Sequence, residues 1–197
     1  MQLLDDVQNA LIKDGFRVHG NGFIQIRLDR DRRLHIWPYP LVPCQETPSP
    51  IHDHRFGFTS QVLVGSLLDK RYTVASDKLG EYQVWTVGSR PDDPARAGEQ
   101  LIPTSVYAFA TPLSTSRYYR GTTYTMLPFI YHETVPLRFT ITLMVKTLIT
   151  PTEPRVLVPR GKSAGNAFSF DPASFRVWVD RALVELKDVR VSIYSLD

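Results

Sequence analysis

Two histidines, His52 and His54, stand one residue apart in the stretch PSPIHDHRFGFTSQVLVGSL, residues 48–67. On a β-strand, residues i and i+2 point to the same face, so both imidazoles would project together. The face that continues this pair is mostly apolar and consists of Phe56, Phe58, Ser60, Val62 and Val64. Neutral imidazole is a common ligand of Zn, Cu, Fe and Ni, so the pair indicates part of a metal site. The alternative is that one histidine is hydrogen-bonded to a loop and the other is exposed to solvent.

A third histidine, His132, lies in LPFIYHETVPLRFTITLMV, residues 127–145. We expect it at the start of a strongly alternating strand, on which Leu137, Phe139, Ile141, Leu143 and Val145 share one face. Alternation aims Glu133 away from the side of His132. The pattern predicts three metal ligands, His52, His54 and His132, supplied by two separate strands.

The rest of the chain provides the elements that would position these ligands. Residues 2–13 have helical spacing of apolar positions and are followed by Gly15. Residues 22–147 hold many short, alternating segments separated by Gly, Pro, Asp and Ser. Such spacing is typical of an antiparallel sandwich or barrel, and we expect helices only at its two ends.

The C-terminal part differs in composition. Residues 150–170 are rich in Pro, Gly, Ser and Lys, and they predict an extended arm. A helix is predicted over 171–188, with Asp171 as N-cap and Pro172 at the first helical position. A short strand-like tail follows. The predicted organisation is therefore an N-terminal helix in 1–20, a β-barrel over 21–148, and an arm, helix and strand over 149–197.

The histidine pattern resembles the cupin family across roughly residues 20–148. The first cupin motif has H-x-H, usually a Glu, and then a Gly, and His52, His54 and Gly65 match it. The second has a Gly, a Pro and a His, and the matching residues are Gly121, Pro128 and His132. The resemblance implies an all-β, antiparallel jelly-roll barrel of the cupin type that binds a metal through His52, His54 and His132.

One departure narrows the resemblance. The usual Glu of the first motif would fall at Phe58 or Thr59, which leaves a set of three histidines. This set is similar to that of the thiol dioxygenases, which bind Fe(II); Zn, Ni or Mn are the other metals that we consider. The same likeness implies that Arg27 binds the substrate, unless it is a solvated hairpin charge. The thioether cysteine of that group has no counterpart near Thr59, and its tyrosine after His132 cannot be placed.

Four tyrosines precede or flank the third histidine: Tyr118, Tyr119, Tyr124 and Tyr131. We predict Tyr124, within the strand-like TTYTM, as the catalytic tyrosine that donates or accepts a proton. The alternative is a set of aromatic residues that pack the barrel. His35 either joins the metal site or is hydrogen-bonded elsewhere, while His19 and Cys44 are expected to be inert loop residues.

Composition limits the partners and the compartment. The 197 residues carry a formal charge of +3, and no long basic tract or apolar span occurs, so we expect neither nucleic acid nor membrane as a partner. A single cysteine excludes an internal disulfide and favours the cytoplasm. The acidic N-terminus is unlike a signal peptide. A small-molecule substrate and a homodimer are the expected partners.

Three functions remain open from the sequence. The first is a small-molecule dioxygenase that uses Fe(II) at the three histidines. The second is a cupin isomerase or epimerase without redox chemistry, in which the metal polarises a carbonyl or activates water. The third is a ligand-binding cupin that has no catalytic activity.

Overall fold

The computed structural model describes residues 2–39, 50–88, 100–162 and 172–192. The described chain is mostly β-structure, arranged as two antiparallel sheets with a helix near each end. No helix in these ranges is long and apolar enough to cross a bilayer.

The two sheets have different edges and neighbours. Sheet A has the strand order β1-β2-β3-β10-β4-β8, and sheet B has the order β11-β6-β7-β5-β9. The strands are β1 (Arg17–Val18), β2 (Ile24–Arg27), β3 (Arg32–Trp37), β4 (Phe56–Val64), β5 (Ser66–Ser76), β6 (Tyr82–Gly88), β7 (Gln100–Tyr119), β8 (Thr123–Met126), β9 (Tyr131–Pro136), β10 (Thr140–Ile149) and β11 (Arg155–Pro159). The helices are α1 (Gln2–Asp14) and α2 (Arg176–Glu185), and 3-10 turns at Pro172–Phe175 and Leu186–Asp188 flank α2.

The largest core lies between one face of sheet A and the two helices. Alternate apolar residues of β2, β3 and β10, such as Ile26, Leu34 and Leu143, pack there against Val7 of α1 and Val179 of α2. All five are nearly or fully buried. Burial of this kind stabilises the folded state by about 25 cal/mol per Å² of apolar area, so this face provides most of the hydrophobic stabilisation of sheet A.

The other face of sheet A, here called the histidine face, is more polar. His35 and Arg33 are two residues apart on β3 and therefore point to the same face. Gln25 of β2 lies opposite His35, and Met144 of β10 lies opposite Arg33, so both share that face. Phe58 continues this face on β4 and packs with Met126 and Met144 in a small separate cluster. One face of sheet A therefore packs in the main core, and the other holds the polar side chains.

The sequence correctly predicts an antiparallel β-structure over residues 22–147, since no helix lies within the described part of that range. The helix over 2–13 is also confirmed. A closed jelly-roll barrel stays a prediction, because the described strands form two separate hydrogen-bonded sheets.

Two local expectations were wrong, and a third was correct in part. Residues 155–159, within the expected arm, form β11 and pair with β6 because Val156, Leu157 and Val158 supply a short apolar strand. His132 lies on β9 of sheet B, whereas the alternating residues after it form β10 of sheet A. The helical element predicted over 171–188 is present over its described residues, but its first turn, Pro172–Phe175, is a 3-10 helix, so the α-helix begins at Arg176. The predicted N-cap, Asp171, and the end of the predicted tail lie outside the described residues.

The predicted face of β4 is interrupted by a bulge. Thr142 of β10 is opposite Val62, but the next residue, Ile141, is opposite Val64. The extra residue, Leu63, reverses the alternation, so Val64 packs into the core beside the helices and leaves the histidine face.

Gly65 follows this bulge and turns the chain from sheet A into sheet B with φ of +81°. A methyl group there would collide with the carbonyl oxygen of Phe139 and with Thr140. Gly121 has φ of +86° but open space around it. We expect Gly121→Ala to cost about 1–2 kcal/mol through backbone strain alone. Gly65→Ala should cost about 1–3 kcal/mol more, because overpacking adds to the strain. Urea unfolding of both variants measures the difference, and equal losses would contradict the steric account.

Candidate metal centre

The segment before β4 is held against β9 by reciprocal backbone hydrogen bonds. The His52 amide donates to the His132 carbonyl at 3.0 Å, and the His132 amide donates to the His52 carbonyl at 2.8 Å. The two histidines are therefore direct antiparallel neighbours, although they lie 80 positions apart in the numbering. The Phe129 amide also donates to the His54 carbonyl at 2.9 Å, which fixes the position of His54. His52 and His54 thus precede β4 rather than forming part of it.

Three imidazoles converge at this point. The ring centroids of His52 lie 4.8 Å from those of both His54 and His132, and the remaining pair is 5.2 Å apart. One nitrogen from each ring lies within 4.8 Å of the others. His54 Nε2 and His132 Nε2 are 3.2 Å apart. A metal about 2.1 Å from each of two imidazole nitrogens holds them about 3.0–3.4 Å apart, so the triad could hold a divalent ion.

Hydrogen bonds on the far side of two rings set their orientation. His52 Nδ1 donates to the Pro50 carbonyl at 2.8 Å. His132 Nδ1 donates to Asp69 Oδ1 at 3.0 Å. A carbonyl or carboxylate oxygen can only accept, so each Nδ1 carries the proton and each Nε2 keeps its lone pair. Metal-binding histidines commonly have such outer partners.

Asp69 is the charged member of this outer set. Only 1% of it is exposed, and its second oxygen accepts a hydrogen bond from Arg71 Nε at 2.9 Å. Burial alone would raise the pKa of Asp69, but hydrogen bonds from His132 and Arg71 hold it below its ordinary value. Asp69 is therefore an anion, and it aligns and polarises the His132 imidazole.

Burial keeps the two histidines of the H-x-H pair neutral. The pKa of His52 is lowered to about 3, first by burial and then by the proximity of His132. Burial also lowers the pKa of His54 well below its usual value, and the neighbouring histidines add to the effect. A neutral imidazole is the form that binds a metal, so neither ring needs to lose a proton at neutral pH.

The carboxylates next to the triad point elsewhere. Asp53 accepts hydrogen bonds from the Arg155 backbone at 2.6 Å and from its guanidinium at 2.7 Å. Glu133, as alternation predicts, faces away from His132 and accepts a hydrogen bond from Tyr72 at 3.0 Å. Among the described residues, the ligand set consists of histidines without a carboxylate.

Aromatic rings cover one side of the triad. Phe56 stacks on His54 with centroids 5.1 Å apart, and Phe58 meets His54 edge-on at 5.5 Å. The two phenylalanines come from the start of β4, as the sequence pattern predicts. They shield the imidazoles from water on that side and provide an apolar wall for a ligand.

His35 and His19 form a second layer beside the triad. His35 lies on the histidine face, 3.3 Å from Gln25 Nε2, and its ring is 4.7 Å from Phe23. His19 also stacks on Phe23, with ring centroids 4.4 Å apart. Both histidines contribute to the lowered pKa of His54, so all five histidines of the chain gather in one region. The sequence did not predict a place for His19 there, because β1 and β2 are too short to give a clear period.

Tyr124 lies one ring away from the triad. It stacks on Tyr118 at 4.2 Å and meets Phe58 at 6.2 Å, and Phe58 in turn lies 6.2 Å from His132. Burial raises the pKa of Tyr124, which keeps its hydroxyl protonated. Its catalytic role stays a prediction.

Arg27 lies at the end of β2, exposed and directly opposite Arg33 of β3. Its predicted role in substrate binding also stays a prediction. Asp69 is the residue that sequence reasoning missed. Its only signal in the sequence was an acid that directly follows the apolar pair Leu67 and Leu68 within β5. Cys44 lies outside the described residues.

Comparison with known proteins adds no relative. No family model matches the chain, and no curated protein matches it significantly. The functional argument therefore depends on the geometry of this site.

His35 gives a prediction for acid stability in the metal-free protein. Burial lowers its pKa to about 3 from an ordinary 6.5, so unfolding at pH 5 takes up a proton. Its contribution to stability is therefore complete above pH 6.5 and is lost as the pH falls toward 3. The loss should be about 1.4 kcal/mol per pH unit. Urea unfolding between pH 4 and 7.5 should show a shallower pH dependence for His35→Gln than for the unchanged protein. Parallel curves would contradict the assignment.

Asp69 gives a prediction for metal affinity. Asp69→Asn removes the carboxylate that aligns His132, and we expect Zn(II) affinity to fall about 10–100-fold. Glu133→Gln is the matched control, because Glu133 is next to His132 in sequence but contacts Lys70 and Tyr72. Competition with a chromogenic chelator measures both affinities. Equal affinities for the two variants would show that Asp69 does not orient a ligand.

Proposed function

We propose that this protein is a metal-dependent dioxygenase of small molecules, with Fe(II) bound by His52, His54 and His132. The observation that supports it is the convergence of three imidazoles with one nitrogen each within 4.8 Å of the others, of which His52 and His132 have Nδ1 bonded outward and so keep the lone pair on Nε2. Three ligands on one side of a metal leave positions for O2 and substrate, as in non-haem Fe(II) oxygenases. A jelly-roll barrel of the cupin type is the architecture that we propose for the two sheets.

The chain would contribute binding, orientation and exclusion of water. Bound Fe(II) supplies the redox chemistry with O2. Asp69 and the Pro50 carbonyl hold His132 and His52 in the binding tautomer. Phe56 and Phe58 limit access of water to the side on which they pack. Three neutral ligands leave the full charge of the ion in place, which favours an anionic group of the substrate as a further ligand.

The arrangement of acids favours this proposal over an isomerase or epimerase. Such an enzyme needs a free acid or base within reach of the substrate. Asp53 is bonded to Arg155, Asp69 to His132 and Arg71, and Glu133 to Tyr72 and Lys70. Each nearby carboxylate is therefore engaged by a cation or a ring.

The proposal is tested by metal loading and O2 uptake. Protein purified without a His tag is depleted with chelator, loaded anaerobically with Fe(II) or Zn(II), and melted. We expect either metal to raise the melting temperature of the unchanged protein, because a ligand of the native state stabilises it by about 2.7 kcal/mol at 100 times its Kd. His54→Ala should lose this shift.

His35→Gln is the control, since it removes a neighbouring imidazole that is not part of the triad. It should keep the metal-induced shift. Fe(II)-loaded protein, but not the Zn(II) form, should then consume O2 in a screen of small thiols and other small molecules. A shift that His54→Ala retains would refute the metal site. A normal shift without O2 uptake in any screen would refute the dioxygenase and leave the isomerase or epimerase and the non-catalytic binding protein.

A further inference from the structure

Five basic residues lie around one end of the histidine face of sheet A, close enough for the charges of Arg17, Arg27 and Arg55 to act on Arg33. They are called here the basic patch and consist of Arg17, Arg27, Arg33, Arg55 and Lys146. Arg33 and His35 are two residues apart on β3 and share this face. Arg27 is the cross-strand partner of Arg33, and Lys146 lies two residues beyond Met144, which is paired with Arg33 on its other side.

The positive charges of Arg33 and Lys146 have few acidic neighbours among the described residues. Arg33 Nε is buried without a hydrogen-bond partner in the described part of the chain. Burial and the charges of Arg17, Arg27 and Arg55 lower the pKa of Arg33 to about 10. Burial and three of these arginines lower the pKa of Lys146 to about 8, and Asp31 opposes them. Like charges held this closely favour the binding of an anion.

One aromatic ring connects the basic patch with the metal centre. The Arg33 Cζ lies 5.6 Å from the centre of the Phe56 ring, and Lys146 Nζ lies 5.2 Å from it. The same ring stacks on His54 at 5.1 Å. A small molecule lying along Phe56 could therefore contact the basic patch at one end and the triad at the other.

We propose that the basic patch binds the phosphate group of a small-molecule substrate, a phosphate ester, whose other end reaches the three histidines. A carboxylate brings one negative charge, whereas a phosphate monoester brings nearly two and offers three acceptor oxygens. Arginine forks and a lysine suit that group in geometry and charge. Only the identification of the ligand as a substrate rests on the proposed function; the binding of phosphate does not need a metal.

The test measures binding of inorganic phosphate to the metal-free full chain by calorimetry at pH 7.5 and constant ionic strength, with acetate as the monoanion. We expect saturable phosphate binding that is at least tenfold tighter than acetate binding. Arg33→Gln and Lys146→Gln should each weaken phosphate binding at least tenfold. Arg138→Gln, which removes an exposed charge from the turn before β10, should leave it unchanged.

If replacing the half-buried Arg33 unfolds the protein, Arg27→Gln and Arg55→Gln are tested in its place. The side chains of Arg27 and Arg55 are exposed, so their replacement should not disturb the fold. Binding that is absent, equal for acetate, or equally weakened by Arg138→Gln would overturn the proposal. His54→Ala separates the two proposals: it should abolish metal binding and keep phosphate binding. If the unchanged protein binds no metal, the proposed function is overturned, and the phosphate result still stands.

Discussion

The site depends on the backbone pairing of His52 with His132. Their two reciprocal amide–carbonyl hydrogen bonds bring a segment of irregular structure against an edge strand of sheet B. Without that pairing, the H-x-H pair and the third histidine would lie on separate sheets, since the strand after His54 belongs to sheet A. The register is specific because a slip of one residue would turn His132 away and bring Glu133 to the triad.

Folding and chemistry are divided between the two faces of sheet A. The apolar face of β2, β3 and β10 packs on α1 and α2, so the stability of the sheet does not require an apolar histidine face. That second face can hold imidazoles, arginines and a lysine, which would be costly in the main core. The bulge at Leu63 belongs to this division, since it moves Val64 from the site to the core.

Burial acts on the basic groups of this face in one direction. It lowers the pKa of His52, His35, Arg33 and Lys146 alike, because each loses water and gains like-charged neighbours. The imidazoles respond by staying neutral, as a metal ligand must. The arginines keep their charge, so their field favours an anion next to a triad that could hold a divalent metal. The Phe56 ring lies between His54 and Arg33, so it separates the candidate metal centre from the basic patch by a few ångströms.

The sequence alone identified the three histidines of the candidate site and the antiparallel β-structure, because an H-x-H pair and period-two patterns are visible over a few neighbouring residues. It could not identify Asp69, whose contact with His132 joins residues 63 positions apart. Nor could it show that His132 and the alternating strand after it lie in different sheets, since the bend at Leu137–Phe139 interrupts no apolar period. Arg27 had a solvated hairpin charge as its alternative, and only the structure showed that it pairs with Arg33, whose guanidinium lies over Phe56. Long-range register therefore decided the surroundings of the site, because it depends on which strands meet and not on the pattern within one strand.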